Sequence, residues 1–453
     1  MKGLPPRLLL FFAILPATVL TGFWFARFMP AAASMSLPGM AGAISSVLAQ
    51  NGIVLLVIVV FLGSRNPLVE RSVGLDRMLR FHKPLGVVAA GLLLGHVLLQ
   101  FLRFYIIGGP ELVSAALLTT EIWEMVVGRL ALLMLITAGI LAFLGVRFRF
   151  SFRMWKPVHL IVYAAVPLGL LHAGFRGSTM GDPPRVQVLV ILAAATALAL
   201  IMRLFEVRYG NRRAVCRVSR VVPENHDTRS LYLDVVDGPG DLALRRAGQF
   251  ALLRIPGGRG FSEPHPFTIS GAPEEVELRF TIKQAGRFTR NIHQIDQGSE
   301  VRCEGPYGVF CAGAEDCASL ALIAGGVGVT PFLSLLRHLL LKGRFVPAVL
   351  VWANKTSGDI FCREELEEMT SKMPLRVVHV LSREKDRPGQ QESGGSVSFE
   401  KGRVTAEILS RFLRADQCFY LCGPPAMQAF VLAEIKKAFG LGSGEVSREL
   451  FFW

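Results

Sequence analysis

Long apolar runs fill the first 206 residues and then stop. Stretches at about 8–25, 44–62, 82–107, 130–146, 157–174 and 188–202 hold few charges. Each is near the roughly 20 residues that a helix needs to cross a hydrocarbon core of about 30 Å, so the pattern predicts six spanning helices. After Tyr209 it changes to short β-rich runs at 230–236, 249–255 and 276–283, punctuated by Gly and Pro, which predict a small antiparallel β-barrel. From Cys317 onward, strand-like and helix-like runs alternate at 320–323, 331–341, 348–352, 363–370, 376–380, 417–422 and 426–439. That alternation predicts a doubly wound α/β domain on a parallel sheet. Residues 386–398, rich in Gly, Ser and Gln, read as a surface loop. The expected architecture is a multi-domain membrane protein, with a six-helix transmembrane domain at 1–206, a β-barrel domain at 207–316 and an α/β domain at 317–453.

Charge orients the spans. The stretch at 63–81 carries Arg65, Arg71, Arg77 and Arg80, the stretch at 147–156 carries Arg147, Arg149, Arg153 and Lys156, and Arg203, Arg208, Arg212 and Arg213 follow the last span. The excess of basic residues in cytosolic loops places all three on the cytosolic face of a plasma membrane, the inner membrane in a bacterium. The loops with Glu111, Glu121 and Glu124, and with Arg176, Asp182 and Arg185, then fall outside. The first apolar stretch has a second reading as a signal peptide, since Lys2 and Arg7 precede it and Ala31–Ala33 follow. Most of the net charge of +14 is read as topology beside membrane lipid, with no nucleic acid partner. All seven cysteines lie after the last span and show no paired CxxC motif or regular framework, which suits a soluble part in a reducing compartment.

Four histidines interrupt the apolar sequence: His82 and His96 in one stretch, His159 and His172 in another. Intervals of fourteen and thirteen residues separate the members by roughly 20 Å along a helix. At about 100° per residue, fourteen steps return to within roughly 40°, so His82 and His96 share a face. Thirteen steps miss by roughly 140°, so the second pair needs a local distortion, for which Pro167 is the candidate. A single histidine in a span is as readily a hydrogen-bonded polar side chain, but four at matched heights point to metal ligation. Zinc fits poorly, because no cysteine and few carboxylates accompany them; two hemes fit better.

These intervals resemble the bis-heme histidine signature of the ferric reductase and NADPH oxidase superfamily. The C-terminal half resembles its flavin and nicotinamide dehydrogenase module, so the likeness covers nearly the whole chain. It implies two b-type hemes, one between His82 and His159 on the cytosolic side and one between His96 and His172 on the outer side.

The motifs of the second half carry the rest of that likeness. His265-Pro266-Phe267-Thr268 offers strand-edge backbone groups, a ring and a hydroxyl, suited to a flat isoalloxazine. Lys283, Gly286, Phe288 and Thr289 lead into a helix start, which is either a pyrophosphate site or a glycine turn before a capped helix. Gly305-Pro306-Tyr307-Gly308 follows where the family has its next flavin segment, and the resemblance implies FAD. Gly325, Gly326, Gly328, Thr330 and Pro331 form a strand, glycine turn and helix start that lets backbone approach a dinucleotide. The Gly-x-Gly-x-x-Pro form is that of ferredoxin-reductase-like nicotinamide sites. Cys422, Gly423 and Pro424 end a later strand, where ligands collect in such sheets. The resemblance implies that Cys422 faces the nicotinamide C4 and that a terminal aromatic, here Trp453, covers the flavin. NADPH is favoured over NADH, because Asn354 and Lys355 stand where an acidic residue would hold a free ribose hydroxyl, and Ser382 and Arg383 suit a 2′-phosphate. The implied function is transfer of electrons from NAD(P)H through FAD and two hemes to an acceptor on the outer face. Superoxide formation from O2 is the first expectation, with a ferric chelate or a periplasmic redox protein as the alternatives.

Overall fold

A computed structural model describes residues 28–64, 74–147, 158–176, 183–209, 213–238, 240–257, 260–384 and 395–449, with scattered positions between 15 and 26. The chain divides into two compact units, Leu4–Gly210 and Asn211–Trp453.

The first unit is helical because hydrocarbon offers backbone N–H and C=O groups no partner, and a helix satisfies them internally. Its helices are α1 (Leu37–Gly63), α2 (Leu75–Leu118), α3 (Trp123–Arg147), α4 (Val162–Arg176) and α5 (Pro183–Tyr209). Ser36 caps α1, its hydroxyl accepting from Gly39 N at 3.3 Å. The regular path of α2 breaks at Gly108 and Gly109, the latter at φ +64°, and Pro110 restarts the helix. Gly52 lets α1 close on α2, since a Cβ there would stand 2.8 Å from Leu93 Cγ. Val87, Leu98, Leu133, Phe143, Val190 and Ile191 are at least half exposed, an outward apolar surface that only lipid can solvate. This is a membrane protein.

The expected six spans are not all met. Among the described residues, three helices are long and apolar enough to cross a membrane (Leu37–Gly63, Arg77–Leu118 and Trp123–Leu144), and Val162–Phe175 and Val190–Met202 are shorter. Most of the stretch at 8–25 lies outside the described residues.

The second unit opens with a sheet of β1 (Arg213–Pro223), β2 (Thr228–Asp237), β3 (Phe250–Arg254), β6 (His265–Thr268), β7 (Leu278–Lys283) and β8 (Glu300–Tyr307), with a small hairpin of β4 (Pro256–Gly257) and β5 (Gly260–Phe261) beside it and α6 (Arg287–His293) between β7 and β8. Strand order is β6-β3-β8-β1-β2-β7. Irregular register between β1 and β2 marks bulges that curl the sheet. The expected barrel does not close through its ladder: β6 and β7 are the outer strands, and just past β6 a backbone bond from Ser270 N to Arg279 O at 2.7 Å joins the edges.

The α/β layer then follows with β9 (Leu320–Gly325), α7 (Thr330–Leu341), β10 (Ala348–Asn354), α8 (Arg363–Lys372), β11 (Leu375–Leu381), β12 (Val397–Lys401), α9 (Ala406–Phe412), β13 (Cys418–Cys422), α10 (Pro425–Phe439) and β14 (Val446–Glu449). Its order is β12-β11-β10-β9-β13-β14 with parallel neighbours. The order reverses between β9 and β13, the switch point where such sheets bind ligands beyond their carboxyl ends. Both faces are covered, with Trp352 and Phe332 fully buried on one and Leu421 and Val431 on the other. Of the loop expected at 386–398, residues 386–394 lie outside the described residues, and Val397 and Ser398 belong to β12, where Val397 pairs with Val377. The cysteine spacing showed no framework, yet Cys317 and Cys418 are disulfide-bonded across 101 residues, because the sheet order brings the start of β13 beside the start of β9.

Candidate functional site

In the helical unit the four histidines form two pairs across helices. The rings of His82 and His159 lie 6.0 Å apart at 74°. Two imidazoles on opposite sides of one metal ion, each bonded at about 2 Å, would have centres about 6 Å apart. His96 and His172 lie close enough for their rings to interact electrostatically. Three of the rings are tethered through Nδ1: His82 to Val59 O at 3.0 Å, His96 to Ser45 O at 3.1 Å with the Ser45 hydroxyl at 2.8 Å, and His172 to Glu124 O at 2.8 Å. A carbonyl only accepts, so Nδ1 carries the proton and Nε2 keeps its lone pair for a metal.

The tether spacing matches the ligand spacing. Val59 and Ser45 are fourteen residues apart on α1 (59 − 45), as are His96 and His82 on α2 (96 − 82). Glycines seat the rings: a Cβ on Gly128 would lie 2.6 Å from His172 Nδ1, and one on Gly63 would lie 3.1 Å from His82 Cε1. Arg103, two turns beyond His96, lays its guanidinium over Gly42, 3.2 Å from where a Cβ would stand.

The distortion required between His159 and His172 lies elsewhere than expected. The helix runs unbroken through Pro167. Leu160 and Ile161 form a turn instead, with i→i+3 bonds from Ile161 N to Val158 O and from Tyr163 N to Leu160 O, both 3.0 Å. A turn closed this way advances about 120° per residue rather than 100°, recovering part of the missing rotation.

In the second unit, β6 carries His265, Pro266, Phe267 and Thr268 at the sheet edge, pairing only with β3. Proline is tolerated on an edge, and the other edge leaves backbone groups for a ligand. Phe288 lies parallel to His265, centres 3.8 Å apart, and nearly parallel to Phe267 at 5.9 Å. Burial holds the His265 imidazole below its ordinary value against the pull of Glu263, so the stack is neutral, apolar and suited to a flat ring system. At Gly305, φ is +157° and a Cβ would lie 3.2 Å from Ala251 Cα, so a side chain there would be strained and crowded. Gln249 Nε2 holds Gly308 O at 2.9 Å, and the Tyr307 hydroxyl donates to Glu304 at 2.8 Å.

Two residues of the expected pyrophosphate segment also bond within the chain. Lys283 Nζ bridges Asp227 at 3.0 Å and Asp359 at 3.4 Å. Ala285 N and Gly286 N both donate to Thr289 Oγ1 at 2.9 Å. The segment forms a capped helix start within the chain itself.

At the switch point, Gly325, Gly326 and Gly328 make a cradle that side chains would fill. A Cβ on Gly328 would lie 2.6 Å from Cys422 O, and one on Gly325 would meet Met427 Sδ. Gly326 takes φ +53° and its carbonyl accepts from Trp352 Nε1 at 2.9 Å. Thr330 and Pro331 open α7 directly beyond, with Thr330 Oγ1 donating to Val327 O at 3.0 Å, and Gly423 and Pro424 lead into α10 opposite. Cys422 is fully buried, and burial, reinforced by Glu449, keeps its thiol protonated. Ser382 N and Oγ donate to Asn354 O at 3.0 and 3.2 Å, and Arg383 N donates to Lys355 O at 2.7 Å. Glu384 accepts from Ser357 N at 2.6 Å, so this corner holds a carboxylate beside the arginine. Trp453 lies outside the described residues.

Two family models match the chain: a ferric reductase like transmembrane component over residues 48–170 and an oxidoreductase NAD-binding domain over residues 322–432. The chain is 30% identical over 206 residues to the sulfhydrogenase 2 subunit gamma of Pyrococcus furiosus, covering 44% of this chain and 70% of that one. The two matched components together are those of a ferric reductase and NADPH oxidase-like superfamily. As a ferric reductase relative the chain joins a membrane component to a ferredoxin-reductase-type electron-transfer domain, and it is an oxidoreductase. It is also 32% identical to the reductase component of propane 2-monooxygenase of Mycolicibacterium goodii, over 46% of this chain and 60% of that one, and 30% identical to the flavohemoprotein of Bordetella pertussis, over 47% and 54%. The chain thus spans only about half to two thirds of these curated relatives' length.

Several residues escaped the sequence reading. Ser45, Gly63 and Gly128 seat the histidines but are ordinary small residues in apolar runs; the repeat of the fourteen-residue interval at Ser45 and Val59 was the available signal. Ser334, Arg337 and Glu365 cross between the two sheets, which no local pattern announces.

Proposed function

We propose that this chain moves electrons from NAD(P)H on the cytosolic side of the plasma membrane, through FAD and two b-type hemes, to O2 on the outer face. Its domains would be 1–206 for the hemes, 207–316 for FAD and 317–453 for the nicotinamide. The observation that carries the reading is the pair of cross-helix imidazole sites, with Nδ1 of His82, His96 and His172 tethered to carbonyls, on the same chain as the glycine cradle at the switch point. When bound, the nicotinamide would supply a hydride to the flavin, which would keep or release the proton while the hemes carried the two electrons singly.

The protein's part is to hold and orient. His82 with His159, and His96 with His172, would hold the two hemes through their imidazoles. The β6 edge and the His265, Phe267 and Phe288 rings would bind the flavin, while Gly325–Gly328 admit a pyrophosphate against the start of α7. Cys422, buried and neutral, presents a small uncharged face to the nicotinamide. Trp453 is proposed to cover the flavin until nicotinamide displaces it.

A ferric chelate is the second reading of the acceptor, favoured by Arg103, whose fixed cation beside the His96 turn would attract an anionic ligand. A periplasmic redox protein is the third. Purified chain in nanodiscs should contain two hemes and one flavin, and NAD(P)H should drive cytochrome c reduction that dismutase abolishes. A dismutase-insensitive signal that needs a chelate or an added protein overturns O2 as acceptor; isolation without porphyrin overturns the whole route.

A further inference from the structure

We propose that Arg337 is a positioning residue that sets the distance between the flavin strand and the nicotinamide cradle. Helix α7 begins on the glycine turn at Gly326–Val329. Seven residues into α7 from Thr330, Arg337 reaches back to the other sheet, its Nη1 donating to Ser270 O two residues past β6. Its Nε and Nη2 grip both oxygens of Glu365 at 2.5 and 2.7 Å, and Glu365 also holds Arg279 of β7 at 3.3 Å. One turn earlier, Ser334 Oγ donates to Gly271 O at 2.7 Å and accepts from Gly248 N at 3.2 Å. Next along, His338 Nδ1 lies 2.8 Å from Glu274. Positions 334, 337 and 338 share one helix face, and all three side chains are less than a tenth exposed.

This face is a polar bolt inside an otherwise apolar helix. Buried ion pairs add little net stability, because desolvation offsets their attraction, but they fix one geometry. A two-pronged guanidinium is the side chain best suited to that task, since its fork admits a single arrangement of carboxylate and carbonyl. The groups it fixes are the two that hydride transfer must align: the strand of His265–Thr268 and the turn of Gly325–Gly328. Transfer demands reacting atoms about 3–3.5 Å apart, and a displacement of about 1 Å costs about 100-fold in rate. Arg337 touches neither cofactor site directly and acts through Ser270 and through its own helix.

The inference rests on the proposed hydride route, and the test separates the two. Full-length Arg337→Lys would be compared with wild type by single-turnover flavin reduction, nicotinamide KM, flavin content and melting temperature, together with amide hydrogen exchange of residues 269–272 in the cofactor-free chain. Lysine keeps the charge but loses the fork. The expected result is a 10- to 100-fold slower flavin reduction with KM changed less than about threefold, flavin content and melting temperature retained, and faster exchange at 269–272. Unchanged reduction or unchanged exchange in the variant overturns the positioning role, as does a rate loss matched by lost flavin or lost melting temperature. A wild-type chain that binds flavin but is not reduced by nicotinamide overturns the hydride route itself.

Discussion

His379 stacks on Phe399, ring centres 5.1 Å apart at 27°, inside the parallel sheet of the second unit. Trp352 closes the other side at 5.6 Å, the ring is 1% exposed, and among the described residues its Nδ1 has no hydrogen-bond partner. Burial, helped by Arg363, lowers its pKa from 6.5 to about 4. A histidine whose folded value is depressed destabilises the fold on acidification: above pH 6.5 neither state is charged, and between 6.5 and about 4 only the unfolded chain takes the proton. The full effect is on the order of 3 kcal/mol. His379→Phe, which keeps the stack, is expected to flatten the fall in stability across that window. The check is the unfolding midpoint, followed by Trp352 fluorescence, at pH 7 and pH 4.5 in both proteins.

Four carboxylates act in the same direction. Burial would raise Glu274 and Glu315, but hydrogen bonds to His338 from both sides outweigh it and hold them below the ordinary carboxylate range. Asp359 and Glu365 are likewise held down, the former by Thr356 and Lys283, the latter by Arg337 and Arg279. A depressed carboxylate contributes stability that is present above its unfolded value and lost as pH falls through the folded one. His338→Gln removes the imidazole partner of Glu274 and Glu315, so the acid limb of the stability curve should move to higher pH. A curve superimposable on wild type would refute this assignment.

What was legible in the sequence follows from how local each signal is. Helices in lipid announce themselves as apolar runs, and β9 with its glycine turn is a local word, so these elements and the four histidines could be read directly. The rotation at Leu160–Ile161 was not, because proline is the usual marker of a distorted helix and two apolar residues closing a tighter turn leave no trace. Lys283 opens a segment that the sequence leaves open between a pyrophosphate site and a capped helix, and its contact with Asp359, brought from beyond β10, leaves no mark in the local sequence. The disulfide of Cys317 with Cys418 and the bolt of Ser334, Arg337 and Glu365 depend on strand order and on the packing of two sheets, which spacing along the chain does not encode.

Gly328 tests the cradle at the switch point. A Cβ there would approach Cys422 O to 2.6 Å and Gly423 Cα to 2.9 Å, backbone atoms that cannot rotate aside. Gly328→Ala must therefore part the β9 turn from the β13 turn. The nicotinamide KM is expected to rise at least tenfold, a loss of about 1.4 kcal/mol of binding, with porphyrin and flavin content intact. Titration of the purified variant with NAD(P)H measures it, and an unchanged KM would place the dinucleotide elsewhere.

Gly128 tests the membrane site from a position that ligates nothing. It sits one turn after Glu124, whose carbonyl holds His172 Nδ1 at 2.8 Å, and a methyl group there would lie 2.6 Å from that nitrogen and 2.8 Å from His172 Cγ. The ring would have to leave its tether, losing both its orientation and the hydrogen bond that keeps Nε2 unprotonated. His82 and His159 hold the other pair and do not touch Gly128. Gly128→Ala is thus expected to halve the low-spin porphyrin absorbance per chain, while flavin content and flavin reduction by NAD(P)H stay at wild-type levels and electron delivery to an outer acceptor falls at least tenfold. Gly128→Ala with full porphyrin content would show that His172 is not held by this glycine seat.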